Sequence, residues 1–182
     1  MERVARILEE DPNPRLGVVL SACRGITDAL LNVVAAAERQ DGAVAERIEE
    51  IRKRHQGIAD TLLNGDAKTQ FLATLEQDCR DIAGILQTVH LIRAASQMVR
   101  DLISGYGEIW STRLFSAYLR ARGKRPGQVT WVDAREIVSV EWGPLGPAVR
   151  WEASQENTAR LLPRDAAATY MEIGRASCRE RV

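Results

Sequence analysis

A chain of 182 residues is long enough for one domain with a sizeable core, and its 45% hydrophobic and 27% charged residues are the mix of an ordinary globular protein. Its 25 basic residues balance 25 acidic ones, which excludes a basic field for nucleic acid or an anionic membrane surface. No apolar run is long enough to span a bilayer, and no cleavable signal pattern follows Met1.

In chain order, ERVARILEE (2–10) carries Val4, Ile7 and Leu8 at helical spacing and stops at Asp11-Pro12-Asn13-Pro14, a double proline breaker. LGVVLSA (16–22) is a short apolar run rich in valine, the pattern of a buried parallel strand. Arg24-Gly25 turns the chain, and Thr27 or Asp28 can cap a helix running through Ala37. Val44, Ile48, Ile51, Ile58 and Leu62 then repeat at helical intervals up to Asn64-Gly65. Asp66 offers a cap for a second stripe of Phe71, Leu75, Cys79, Ile82, Leu86 and Val89, and the short link predicts an αα-hairpin. A further helical pattern, 91–102, leads into ISGYGEIWSTRLFSAYL (103–119), where a glycine turn is expected to open a helix that stops at Gly123. VTWVDA (129–134) is a second strand, and IVSVEW (137–142) has the character of a third before the turn signals Gly143-Pro144 and Gly146-Pro147. Strands separated by long helices predict an α/β layered domain with a mainly parallel sheet.

Cys23, Cys79 and Cys178 stand far apart without metal-ligand spacing, which fits a reducing cytoplasm. With only His55 and His90, a histidine-based metal site has little material; His55 is expected on a helix face and His90 at a helix junction. The tail EIGRASCRERV (172–182) looks like the translation of a short-read sequencing adapter beginning AGATCGGAAGAGC, so it is set aside from fold reasoning. On that expectation the reading frame ends where a sequencing read ended, and the protein is a fragment.

Two segments can carry chemistry. SACRGITD (21–28) joins a strand to a helix, and the crevice beyond the carboxyl ends of strands is where open α/β sheets bind ligands. Its hydroxyls and the N–H groups of a helix N-terminus suit a carboxylate or phosphate, although local chemistry alone makes Thr27 or Asp28 a cap and Ser21 a strand end. One glycine and no Gly-Lys-Ser/Thr exclude a phosphate loop. In GYGE (105–108) the glycines permit close approach of a ligand, and the Glu108 carboxylate can grip an ammonium or a hydroxyl; alone, it is a dipole-favoured helix opener. Tyr106 and Trp110 can pack beside it. Cys23 lacks a local histidine and does not read as a nucleophile, and Asp133 either bonds a neighbouring loop or ends a strand.

In this order, VVLSACRGITDALL, ISGYGEIWSTRLFSAYL and VTWVDAREIVSVEWGP resemble the aspartate kinases, and most of all the kinase portion of bifunctional aspartokinase/homoserine dehydrogenases. The resemblance covers roughly residues 1–153. It implies an amino-acid-kinase fold, a three-layer α/β/α sandwich with a helix-rich insertion, occupying 1–171 and incomplete. It implies transfer of the γ-phosphoryl group of ATP, with Mg²⁺, to the β-carboxylate of L-aspartate, the first step toward lysine, threonine and methionine. It implies a cytoplasmic homo-oligomer in the full-length form. By position, Ser21 and Thr27 match family residues that contact aspartate, and Glu108 matches the substrate-holding glutamate of the G/H-G-E motif. The family's strand bearing K-F-G-G-T-S, whose lysine and glycines serve the ATP phosphates, is absent from this chain, as is the G-R-G-G/N-S-D type loop. No catalytic residue is therefore assigned, and residues 1–171 are expected to be the aspartate side of a kinase site, inactive alone. The alternatives are a non-catalytic interaction module docking through the hairpin of 44–90, and an amino-acid kinase of different substrate.

Overall fold

The computed structural model describes residues 1–13, 15–124, 128–143, 146–162 and 169–174. Its elements are α1 (Glu2–Glu10), β1 (Leu16–Leu20), α2 (Ile26–Glu38), α3 (Val44–Leu62), α4 (Gly65–Ile92), α5 (Gln97–Arg122), β2 (Gln128–Val132), α6 (Ala134–Ile137), β3 (Val140–Gly143), β4 (Gly146–Val149), α7 (Trp151–Leu161) and β5 (Thr169–Gly174). They form two compact units, one of Met1–Ser21 with Ser111–Val182 and one of Ala22–Trp110.

The first unit is built on a parallel sheet of order β1-β5-β2, with Leu16 and Val129 both paired to Tyr170. This meets the expected α/β class and supplies the parallel pairing. Glu172, Ile173 and Gly174, set aside on sequence grounds, continue the central strand β5 beside Val18, Val19 and Leu20. The rest of that tail, with Cys178, lies outside the described residues. Strand β1 is not buried on both faces as its composition predicts: burial alternates along it, and Val19 is 64% exposed. IVSVEW does not form a third strand of the sheet. Its first residue ends α6, and Val140–Gly143 pairs with Gly146–Val149 in a separate antiparallel hairpin. Asp133 caps α6, its carboxylate accepting from the Arg135 main-chain N–H at 2.9 Å and from the Arg135 guanidinium.

The C-terminal half of α5 packs in this unit through Leu114, Phe115, Tyr118 and Leu119. Polar contacts fix its register: the Trp131 indole N–H donates to Thr112 Oγ1 at 2.9 Å, Arg113 lies over the Trp131 ring, and Arg120 donates to the Val129 carbonyl at 2.8 Å. The Arg122 guanidinium grips the Glu9 carboxylate, joining the last turn of α5 to α1.

The second unit is helical. α3 and α4 form the expected αα-hairpin, and both pack against α2. Their apolar stripes face inward: Ile48 and Ile51 of α3, and Phe71, Leu75, Ile82 and Leu86 of α4, are buried. Most of that stripe is taken up by the unit's own core, so the interaction-module reading is not favoured. The stripe of α3 runs Ile48, Ile51, His55, Ala59, so His55 is a core residue and not the helix-face residue its polarity suggests. The spacing of three, four and four residues admits it, while Ile58 falls to the half-buried flank.

Candidate functional site

The turn between β1 and α2 is tighter than the sequence implies. Gly25 is the N-cap, with φ +75°, and the Ile26 N–H donates to the Cys23 carbonyl at 3.0 Å. Gly25 can hold that left-handed conformation at little cost, so the helix begins one residue before Thr27. Thr27 and Asp28 are therefore inside the first turn and neither is the cap. Thr27 is half-buried there and Asp28 exposed. Ser21 is exposed, one residue past the last paired residue of β1, and its carbonyl accepts a hydrogen bond from the Ser111 hydroxyl at 2.8 Å. Ser111 is the residue that motif reading missed; it stands three places after Glu108, on the same helical face, a signal hidden by placing a turn at Gly105–Gly107.

That turn does not exist. α5 is one continuous helix from Gln97, and Glu108 lies in its interior, not its first turn. The helix opens upstream, where the Ser96 hydroxyl accepts the Val99 N–H at 3.2 Å. Glu38, at the end of α2, secures the same place: its carboxylate accepts the Ala95 N–H at 2.9 Å and both oxygens take Arg100 at 2.6 Å. The dipole explanation for Glu108 consequently fails, since the effect falls off within the first turn.

Gly107 has a packing role instead. A Cβ placed on it would stand 3.0 Å from Ala22 Cβ, 3.1 Å from Ile26 Cγ2 and 3.7 Å from Leu30 Cδ1. The structure thus brings the residue before Glu108 against the residue before Thr27, and the half-buried Glu108 flanks this contact. Beside it, Tyr106 tilts against Trp110 at 5.6 Å between ring centroids, and Trp110 meets His55 edge-on at 5.0 Å. The Trp110 indole N–H donates to Asp78 Oδ2 at 2.8 Å. These aromatic groups are a support wall.

Titration behaviour separates structural from reactive groups. Partial burial pushes the Cys23 thiol up against the opposing pull of Arg54, and burial carries Cys79 to about 12, so both are poor thiolates at neutral pH. Burial also lowers His55, whose Nδ1 faces the Ile51 carbonyl at 3.0 Å. His90 contributes its carbonyl to Gln40 across the gap from α4 to the end of α2. An open, mostly apolar cleft of about 490 Å³ between α3 and α4 is lined by Asp41, Val44, Ile48, Leu86, His90 and Leu91, and none of Ser21, Thr27 or Glu108 lines it. No set of three or more His, Cys, Asp or Glu able to hold a metal occurs among the described residues, and no described helix is long and apolar enough to cross a membrane.

No family model matches the chain. Among curated proteins it is 30% identical over 137 residues to bifunctional aspartokinase/homoserine dehydrogenase 1 of Arabidopsis thaliana, covering 75% of this chain and 15% of that protein. It is 32% identical over 166 residues to lysine-sensitive aspartokinase 3 of Escherichia coli, covering 90% of this chain and 34% of that protein. Among solved structures it is similar to Escherichia coli aspartokinase III in complex with aspartate and ADP, with a TM-score of 0.76 and 28% identity over 94% of this chain and 36% of that one. The same kinase in complex with lysine and aspartate gives a TM-score of 0.75. The chain thus spans between 15% and 34% of the length of these two curated relatives.

Proposed function

We propose that this chain, a member of the aspartokinase family over the part it spans, forms the aspartate-holding side of a kinase that phosphorylates the L-aspartate β-carboxylate with ATP. The product is 4-phospho-L-aspartate, the entry to lysine, threonine and methionine. Its fold is part of the amino-acid-kinase α/β sandwich, assigned to residues 1–171; 172–182 are read as adapter-derived, with 172–174 extending β5. The observation that carries the reading is the contact of Gly107 with Ala22 and Ile26, which sets the residue before Glu108 against the helix bearing Thr27. It occurs in a chain similar over 94% of its length to a kinase solved with aspartate and ADP.

The chemistry asks little of these side chains beyond placement. An aspartate side chain has an unperturbed pKa of about 3.9, so the nucleophile is already ionised at neutral pH and needs no general base. Catalysis rests on holding two anions in line. Glu108 is an anion and would repel a transferring phosphoryl group, but it is a good partner for the substrate α-ammonium at the far end of the molecule. The Thr27 hydroxyl, with the N–H groups of the first turn of α2 beyond Ile26, suits the α-carboxylate, and Ser21 is carried as a further aspartate contact of this reading. Holding the unreactive end in this way converts remote binding energy into alignment of the β-carboxylate.

ATP and Mg²⁺ are the cofactors of this reading, and bound together they supply the phosphoryl group and neutralise its charge. The residues described do not fit them: the chain has neither K-F-G-G-T-S nor a clustered ligand set among the described residues. No step is therefore assigned to them. Assembly into a homo-oligomer is likewise proposed for the full-length kinase alone.

Glu108→Ala in the full-length kinase tests the reading. The expected result is a rise of tenfold or more in the KM for aspartate, roughly the loss of one charged hydrogen bond, with the KM for ATP nearly unchanged. Unchanged aspartate dependence would remove Glu108 from substrate binding.

A further inference from the structure

Glycine in a helix interior costs about 1 kcal/mol relative to alanine, so a helical glycine without a packing reason is a loss. The chain contains both kinds. Gly57 in α3 and Gly84 in α4 have nothing within 4 Å of the position a Cβ would take, whereas Gly107 in α5 has Ala22 Cβ at 3.0 Å and Ile26 Cγ2 at 3.1 Å. Neither neighbour can swing aside. Ala22 Cβ is fixed by the main chain, and Ile26 is β-branched, stiff at χ1 and fully buried. A methyl group at 107 must instead shift α5 from α2 by a few tenths of an ångström.

We propose that Gly107 is a positioning residue for the amino-acid substrate: its missing side chain sets the spacing between α5 and α2, and so where Glu108 stands relative to Thr27. The placement follows from chain adjacency. Glu108 follows Gly107 and Thr27 follows Ile26, so the contact between Gly107 and Ile26 lies at the root of both candidate groups. All of these residues belong to the compact unit Ala22–Trp110, in which the spacing is decided by direct packing. Close packing on the same face of α5 removes the easy compensations. Trp110, three places after Gly107, is 1% exposed, held by Asp78 and backed by the His55 ring, so this face has little room to repack and a push at Gly107 is taken up as displacement along the α5–α2 contact. This inference rests on the reading of Glu108 as the group that holds the substrate ammonium.

The test uses three variants of the full-length kinase: Gly107→Ala, Ala22→Gly/Gly107→Ala and Glu108→Ala. Gly107→Ala is expected to raise the KM for aspartate about tenfold while leaving the KM for ATP within about twofold, because sub-ångström misplacement of a binding group is felt by the ligand it holds. A merely structural role would reduce the amount of active enzyme, lowering kcat and leaving both KM values alone. Moving the methyl group across the contact, in Ala22→Gly/Gly107→Ala, is expected to restore the KM for aspartate to within about threefold of the parent. An unaltered KM for aspartate in folded Gly107→Ala, alongside a raised one in Glu108→Ala, would overturn this inference and leave the functional reading standing. An unaltered KM in Glu108→Ala would overturn the functional reading and this inference with it. If Gly107→Ala fails to fold, recovery of folding and of the aspartate KM in the double variant supports the spacing role, and failure of both variants to fold overturns it.

Discussion

The Ser111 hydroxyl donates a hydrogen bond to the Ser21 carbonyl at 2.8 Å. Ser111 is 2% exposed, so its hydroxyl cannot turn to water, and Ser21 stands just past the end of strand β1, where ladder pairing no longer holds the main chain. The bond therefore does for Ser21 what the sheet does for Leu20. Ser111→Ala is expected to cost about 1 kcal/mol in denaturant unfolding and, on the proposed reading of Ser21 as an aspartate contact in the full-length protein, to raise the KM for aspartate about threefold through a looser Ser21. Unchanged values in both measurements would leave the Ser111 bond without a role.

His55 should make the stability of the helical unit pH-dependent. Its Nδ1 faces a carbonyl and so carries the proton, while Nε2 is buried with no partner among the described residues. Burial lowers its pKa below 6.5, the Ile51 carbonyl opposing that shift and Arg54 adding to it. The unfolded chain therefore binds a proton that the folded chain refuses in the window between the lowered value and about 6.5. The stability tied to neutral His55 is fully present above about pH 7 and is lost as pH falls through that window. His55→Phe keeps a ring against Trp110 and removes the orphaned nitrogen. Its Tm should show a flatter dependence on pH between about 7 and 5 than the parent, with no loss above pH 7. An identical slope in the two proteins would show that other groups set it.

Trp110 contributes through two different contacts, and substitutions can separate them. Trp110→Phe keeps an aromatic ring near His55 but loses the N–H to Asp78 and leaves space where the indole was, so it should destabilise by about 2 kcal/mol. Asp78→Asn keeps an acceptor at the same place and should cost less than about 1 kcal/mol. Thermal unfolding of both variants gives the ordering, and a larger loss in Asp78→Asn would show that the carboxylate charge, not the indole packing, dominates.

What could be read without coordinates follows from where the information is stored. Helices α3 and α4, the strands starting at Leu16 and near Val129, and the stop at Gly123 are written in local periodicity and turn residues, which a single sequence carries. The aspartokinase resemblance likewise followed from the order of three motifs, and the similarity to known kinases agrees with it. Local reading failed where a residue's job belongs to a neighbour distant in sequence. IVSVEW has strand composition, but an Asp133 cap and a hairpin partner at Gly146–Val149 divide it. Polarity sends His55 outward in any local reading, yet the ring of Trp110 gives it a place in the core.

The stretch GYGE shows the same division at the candidate site. Alone it reads as a dipole-favoured helix opener, and only together with SACRGITD and VTWVDARE does the resemblance make Glu108 a candidate for holding aspartate. Composition also suggested a glycine turn, because glycine frees the backbone and nothing local says otherwise. Only the tertiary structure decided that Gly107 is helical and there for closeness, since the reason is the Cβ of Ala22 and the branched side chain of Ile26, residues far upstream that packing alone brings to it.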